Sequence, residues 1–161
     1  MQNGAIVVGY PGVGKTTVST DRVEFIDLES KCFYIDKDKE PNWYIAYCNV
    51  AIDLASQGYT VFVSSHKSVQ QYLKSHLPDS ANLSCCVPSL ELKNQWIYKL
   101  LCRYEESGLQ ADYRAYCRAR DHYIEDVNAL LNNFSNVILI KNIVYDLEEL
   151  LGVSNKNSEE I

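Results

Sequence analysis

The stretch Gly9-Tyr10-Pro11-Gly12-Val13-Gly14-Lys15-Thr16 sets the interpretation of the rest of this chain. Four apolar residues, Ala5-Ile6-Val7-Val8, come directly before it, so a short strand leads into a glycine-rich turn. Glycine adopts backbone dihedral angles that are closed to residues with a Cβ, and consecutive N–H groups can then turn inward around an anion. The stretch therefore predicts a loop that binds phosphate groups.

The end of this loop predicts how a nucleotide is held. Lys15 brings a mobile positive charge for the β- and γ-phosphates, and the Thr16 hydroxyl is placed to ligate Mg²⁺. Thr17 then begins a helix whose N-terminus faces the same anion. We therefore predict ATP and Mg²⁺ as cofactors, with Thr16 as the metal ligand. The predicted cofactor-binding residues are Gly12, Val13, Gly14, Lys15, Thr16 and Thr17.

Composition bounds the size and the partners of the protein. With 161 residues, 47% of them hydrophobic, the chain is large enough for one domain with its own core. We predict a single domain over residues 1–153 and a frayed polar tail over residues 154–161. The net charge of −6 argues against a surface that binds nucleic acids in general. Residues 91–120 are an exception, because they hold six basic residues against four acidic ones.

The cysteines indicate a reducing compartment. All six occur without a C-x-x-C pair or a histidine at zinc-ligand spacing, so we do not expect a metal cluster. Several lie in apolar patterns, where a free thiol packs as a small hydrophobic residue. No signal sequence is recognisable before the phosphate loop, and no apolar run approaches the ~20 residues of a membrane span. We therefore expect a cytoplasmic protein with no membrane partner.

Strands and helices alternate along the chain. The predicted strands cover residues 5–9, 23–28, 59–63, 82–87 and 136–140. The predicted helices cover residues 15–20, 43–57, 67–76, about 91–107, 110–133 and 145–151. This alternation predicts an α/β fold, a doubly wound three-layer sandwich with a five-stranded parallel sheet. Because ligands bind at the carboxyl ends of such strands, the phosphate loop, Asp27 and residues 64–67 and 88–89 should surround one crevice.

Beyond its phosphate loop, the Walker A motif, the chain resembles the small P-loop kinases, which include nucleoside monophosphate kinases, shikimate kinase and gluconate kinase. Val63-Ser64-Ser65-His66-Lys67 looks like the segment after the third strand of gluconate-type kinases, where small polar residues replace an acidic Walker B residue. The arginine-bearing helical pair over about 91–133 occupies the place of the lid in that group. The resemblance implies a P-loop NTPase fold and an ATP-dependent transfer of a phosphoryl group.

Phosphoryl transfer requires positioning and positive charge around the moving group. Lys15 supplies one such charge. Arg114 and Arg118 are four residues apart on a predicted helix, hence on one face, and both can reach the phosphates when that helix closes. We predict these two as catalytic, with Arg103 and Arg120 in reserve. The alternative is a solvated helix face on which the arginines pair with nearby acidic residues.

Asp27, at the end of the second predicted strand, is the fourth predicted catalytic residue. Its carboxylate can accept the proton of an acceptor hydroxyl or hold water around Mg²⁺. The alternative is a turn residue that caps the next segment. Ser64, Ser65 and Lys67 are candidates for the same crevice, with helix capping as an equal alternative. His66 receives no catalytic role.

Three functions fit these features. The first is an ATP-dependent kinase that acts on a small acceptor, with a nucleoside or nucleotide as the first choice. The second is a kinase, similar to small phage-type P-loop kinases, that phosphorylates a hydroxymethylated base of the 5-hydroxymethyluracil type in DNA. The basic residues of 91–120 and the many tyrosines favour it, whereas the acidic net charge opposes it. The third is a nucleotide-binding module without turnover, which the missing Walker B acid favours.

Overall fold

The computed structural model describes residues 4–77 and 82–152. In these ranges the strands are β1 Ala5–Gly9, β2 Phe25–Asp27, β3 Thr60–Ser64, β4 Leu83–Pro88 and β5 Val137–Ile140. The helices are α1 Lys15–Asp21, α2 Trp43–Ser56, α3 Lys67–His76, α4 Lys93–Ser107, α5 Gln110–Asn133 and α6 Leu147–Leu150. Two 3₁₀ turns, Ser30–Phe33 and Leu90–Leu92, precede α2 and α4. The predicted tail over residues 154–161 lies outside the described residues.

The strands form one all-parallel sheet in the order β2-β3-β1-β4-β5. Its central strands contain runs such as Ile6-Val7-Val8 and Val61-Phe62-Val63, in which every residue is buried. A parallel strand covered on both faces requires such continuous apolar runs, whereas a strand with one solvated face alternates. The predicted α/β fold with a five-stranded parallel sheet is therefore confirmed.

Helices lie on both faces of the sheet. On one face, the Cys85 thiol of β4 donates to the Leu130 carbonyl of α5 at 3.7 Å. Asp27 of β2 is aligned across the sheet with Ser84, the neighbour of Cys85, so its side chain points to the opposite face. There Asp27 accepts a hydrogen bond from Thr16 of α1. The sheet is thus flanked by helices in the manner of a three-layer sandwich.

The chain connections change direction next to β1. From β1 the chain passes through α1 to β2 on one side, whereas β4, on the other side of β1, is followed by β5 still further out. Ligands of open parallel sheets bind in the crevice at such a point, outside the carboxyl ends of the strands. The carboxyl ends of β1, β3 and β4 lie side by side, so the segments that follow these strands begin at this crevice.

Helices α4 and α5 form an antiparallel hairpin joined at Gly108, where φ is +64°. α5 has 24 residues and a kink at His122, where φ is −137° and ψ is 20°. On the C-terminal side of the kink, the buried residues Tyr123, Val127 and Leu130 pack α5 against the core. None of the helices in the described part of the chain combines the length and the apolar character needed to cross a membrane.

Some boundaries differ from the sequence prediction. β2 has three residues instead of six, and the helix predicted from about residue 91 begins at Lys93 after a 3₁₀ turn. α6 has four residues and begins after Asp146, whose carboxylate accepts the N–H groups of Glu148 and Glu149. The kink in α5 was not predicted, because apolar periodicity reports the buried face of a helix and not the dihedral angles of one residue.

Candidate functional site

The loop between β1 and α1 adopts a conformation that requires glycine at two positions. φ is +91° at Gly12 and +102° at Gly14, in the region that is strained for residues with a Cβ. The Gly14 carbonyl accepts the Val18 N–H at 3.2 Å, so Gly14 leads directly into α1. Gly12 also lacks space, since a Cβ built there would lie 3.0 Å from Leu100 Cδ2.

Two side chains from the second half of the protein hold the carbonyl groups of this loop. Trp96 Nε1 of α4 donates to the Pro11 carbonyl at 2.8 Å. The Tyr145 hydroxyl, in the segment after β5, donates to the Val13 carbonyl at 2.8 Å. Neither residue was predicted from the sequence, because they lie 85 and 132 residues from their partners and belong to no local motif.

These contacts orient the N–H groups of the loop. In a trans peptide the C=O and the following N–H point in opposite directions. With the Pro11 and Val13 carbonyls held by Trp96 and Tyr145, the N–H groups of the next residues turn away from those side chains. Neither N–H, at Gly12 or at Gly14, donates to any residue within 4–77 or 82–152. Gly12 is buried, and buried backbone donors without a partner are uncommon in folded proteins. Phosphate oxygens are suitable acceptors for both N–H groups.

The Lys15 side chain folds back over the strand that precedes the loop. A Cβ built on Gly9 would lie only 2.9 Å from Lys15 Cδ. Burial lowers the pKa of Lys15, while the Asp27 carboxylate acts in the opposite direction. The ammonium group makes no hydrogen bond or ion pair with the part of the chain that the structure describes. A half-buried cation without a paired acid is unfavourable, so an anionic ligand suits this position.

Thr16 and Asp27 meet beside Lys15. The Thr16 hydroxyl, in the first turn of α1, donates to Asp27 Oδ2 at 2.8 Å. A hydroxyl and a carboxylate are the hard oxygen ligands that Mg²⁺ accepts, directly or through bound water. Both residues were predicted to line one crevice, and the structure brings them together. Thr17 follows in the same turn with an exposed side chain.

A row of three polar side chains ends at the carboxyl end of β3. Ser64 Oγ lies 2.7 Å from His66 Nδ1, and His66 Nε2 lies 2.8 Å from Lys37 Nζ. Ser64 is paired in register with Gly9, the first residue of the phosphate loop, so the row reaches the crevice. His66 was predicted to have no catalytic role. Lys37, which lies 29 residues from it in a charged loop, was not among the predicted site residues. Lys67 is exposed at the start of α3.

The arginines predicted to be catalytic, Arg114 and Arg118, lie in the N-terminal half of α5, before the kink at His122. Arg118 forms two hydrogen bonds with Asp126, at 2.7 and 2.8 Å. It lies close enough to the loop for its charge to oppose the burial that raises the pKa of Tyr10. Arg114 is exposed and forms no ion pair within the described residues. Their role in catalysis stays a prediction.

Of the two reserve arginines, Arg103 lies nearer to the phosphate loop. Its charge contributes to the lowered pKa of Lys15, after burial. Arg103 Nε is 3.0 Å from Asp112 Oδ1, and this ion pair joins α4 to α5. Arg120 instead pairs with its neighbour Asp121 at 2.9 Å.

An open cavity of about 480 Å³ lies next to the loop, between α4 and the segment after β5. Lys99 connects it to the loop, since its ammonium group is 3.0 Å from the Tyr145 hydroxyl and 4.2 Å from the Trp96 ring centroid. The cavity therefore combines cationic and apolar walls. Its lining consists of Gln95, Tyr98, Lys99, Cys102, Arg103, Glu106 and Ile143.

The chain matches no model of a known protein family and no curated protein.

Proposed function

We propose that this protein is an ATP-dependent phosphotransferase of the P-loop kinase type. It would transfer the γ-phosphoryl group to a hydroxyl or phosphate of a small acceptor, with a nucleoside or nucleotide as the first choice. The observation that carries this proposal is the 2.8 Å hydrogen bond from Thr16 to Asp27, beside the unpaired ammonium group of Lys15. A metal ligand, a carboxylate and a cation at one end of a parallel sheet are the groups that phosphoryl transfer uses.

Each group then has a distinct task. The free N–H groups of Gly12 and Gly14 would donate to oxygens of the β-phosphate, and Lys15 would stabilise charge on the transferring group. Thr16 would hold Mg²⁺, which neutralises phosphate charge when bound. Asp27 would orient a metal-bound water or accept the proton of the acceptor hydroxyl.

The cavity of about 480 Å³ beside the loop supports a place for the nucleoside part of ATP. Lys99 and Arg103 line this cavity, and the apolar side chain of Ile143 forms part of its opposite wall. A flat aromatic base suits a site with an apolar surface and nearby cations.

Aromatic residues near the end of β2 support a nucleoside or nucleotide as the acceptor. Phe33 packs on Tyr47 with ring centroids 5.2 Å apart, and Tyr34 packs on Trp43 at the same distance. Phe33 and Tyr34 remain partly exposed. Because Asp27 lies only a few residues before this cluster, a base stacked on it would present its sugar to the carboxylate.

A second candidate is phosphorylation of a hydroxymethylated base in DNA. The α4–α5 hairpin favours it, because Tyr98 is 67% exposed and Tyr113 is 38% exposed on this basic part of the chain. Arg120 also lies 5.8 Å from the Tyr116 ring centroid. Exposed aromatic rings beside arginines can stack on bases and contact phosphates. Binding of DNA that weakens steeply with salt would support this candidate.

The test is phosphoryl transfer from labelled ATP to a panel of nucleosides, nucleoside monophosphates, sugar acids and hydroxymethylated DNA. We expect the wild-type protein to label one class of acceptor and the Lys15→Ala variant to label none. Labelling of hydroxymethylated DNA alone would favour the second candidate. No labelled acceptor, together with tight ATP binding, would contradict the kinase and indicate a nucleotide-binding module without turnover.

A further inference from the structure

The row Lys37, His66 and Ser64 has a fixed hydrogen-bond direction. A lysine ammonium has three donors and no acceptor, so at 2.8 Å it must donate to His66 Nε2. His66 Nε2 is then unprotonated, and the ring hydrogen lies on Nδ1. At 2.7 Å, Nδ1–H donates to Ser64 Oγ. The direction therefore runs from Lys37 through His66 to Ser64.

The charges around the ring exclude the doubly protonated form. A second ring proton would place an imidazolium N–H against the Lys37 ammonium. Burial, followed by the charges of Lys37 and Lys15, lowers the pKa of His66 to about 4. On its other side the ring packs edge-on against Trp43, with centroids 5.1 Å apart, so this neighbour brings no compensating acid. His66 is thus neutral at physiological pH, with one ring nitrogen as acceptor and the other as donor.

The hydrogen of the Ser64 hydroxyl must then point elsewhere. Without a ligand, this hydrogen goes to the Tyr47 hydroxyl, which the Ser64 side chain hydrogen-bonds. The Tyr47 hydroxyl also accepts the Ser64 N–H at 2.9 Å and donates to the Leu28 carbonyl at 2.6 Å. A phosphoryl oxygen is a stronger acceptor than a neutral hydroxyl because it carries charge. Ser64 is paired with Gly9, over which the Lys15 side chain lies, so a phosphoryl group held by Lys15 would be within the same crevice.

We infer that Lys37 and His66 are positioning residues that fix the Ser64 hydroxyl as a hydrogen-bond donor to a phosphoryl oxygen of the bound nucleotide. This role rests on the proposed function. It also gives a reason for a neutral residue at the end of β3. A carboxylate there can only accept hydrogen bonds, whereas a serine whose lone pair receives His66 Nδ1–H gives its own hydrogen to an anion.

The first test compares four variants in steady-state phosphoryl transfer. Ser64→Ala and His66→Phe should each lower kcat/KM for ATP by about tenfold or more, because a donor to a charged group is lost. His66→Asn should stay within about threefold of the wild type, because its amide can donate in place of Nδ1. Lys37→Met, whose apolar stem can still cover Tyr34, should fall between these limits. Wild-type kinetics in Ser64→Ala, at an unchanged melting temperature, would overturn the inference.

The second test does not depend on activity. Long-range ¹H–¹⁵N spectra of the full chain labelled at histidine should show His66 protonated at Nδ1 only. In Lys37→Met, the Nε2-protonated tautomer should become populated, since its enforcing donor is gone. A wild-type spectrum with the hydrogen on Nε2 would overturn the hydrogen-bond direction inferred for the row Lys37, His66 and Ser64. If the spectrum shows His66 protonated at Nδ1 but ATP does not bind, the proposed function fails, whereas the tautomer assignment for His66 stands.

Discussion

The phosphate loop is contacted differently on its two sides. On the side of β2 and β3, it meets Asp27 and Ser64, whose polar atoms face the crevice. On the side of β4 and β5, it meets Trp96 and Tyr145, which donate to carbonyl groups of the loop from outside. We call these the chemical side and the supporting side. The first offers groups to a ligand, and the second uses its groups on the protein backbone.

Under the proposed function, this difference would prepare the loop for an anion before the anion binds. The supporting side orients peptide planes, so the N–H groups of Gly12 and Gly14 need no rearrangement to face a phosphate. In the same proposal the chemical side needs no rigid backbone contact, because its side chains would act on the ligand that the loop holds. Changes on the chemical side should therefore alter turnover, and changes on the supporting side should alter stability and affinity.

The largest expected effect is on the chemical side. Asp27→Asn keeps the shape of the side chain and an acceptor for the Thr16 hydroxyl, but removes the charge and the basicity. We expect kcat to fall ~10²-fold or more with little change in melting temperature. Glu29→Gln is the matched control, since Glu29 is exposed and pairs with Lys31 at 2.9 Å. Wild-type turnover in Asp27→Asn would remove this residue from catalysis.

The next effect concerns the loop itself. Gly12→Ala would place a Cβ at φ +91°, 3.0 Å from Leu100 Cδ2 of the supporting side. We expect it to lower the free energy of unfolding by about 1–3 kcal/mol, as measured by urea denaturation. Gly108→Ala has a φ of +64° but no atom within 4 Å of the added Cβ, so it isolates the dihedral contribution. Equal losses in the two variants would show that the packing of α4 against the loop is loose.

A smaller effect is expected at Tyr145. Tyr145→Phe keeps the ring stacked on Trp96, at 6.1 Å between centroids, but removes the donor to the Val13 carbonyl. The free energy of unfolding should fall by about 1 kcal/mol, and KM for ATP should rise while kcat is unchanged. A lower kcat at constant KM would place Tyr145 on the chemical side and break the distinction.

The smallest effect is a pH dependence of stability. The pKa of His66 is lowered from 6.5 to about 4, by burial and then by Lys37 and Lys15. Between these pH values the unfolded chain binds a proton that the folded chain does not. The contribution of neutral His66 to the free energy of unfolding is therefore complete above pH 6.5 and is lost as the pH falls toward 4. The melting temperature of the wild type should therefore fall more steeply in this range than that of His66→Asn. Parallel curves for the two proteins would contradict the assignment.

Sequence patterns predicted those parts of the molecule that depend on local residues. The apolar runs of the strands, the glycines of the loop and the position of Asp27 after a strand are all local signals. Trp96, Tyr145 and Lys37 were missed because each acts on a residue far away in the sequence, and no spacing rule connects them. His66 was passed over since its role depends on Lys37. The ion pairs Arg103–Asp112 and Arg118–Asp126 could not be predicted from the sequence, because the first depends on the α4–α5 hairpin and the second spans the kink in α5.

Calorimetric titration of the protein with ATP and Mg²⁺ tests the central claim most directly. The claim is that backbone N–H groups, Lys15 and Thr16 together hold a triphosphate. We predict a saturable binding heat for the wild type, a loss of this heat in Lys15→Ala and weaker binding in Thr16→Ala. No heat in the wild type, or the same affinity in Lys15→Ala, would contradict it.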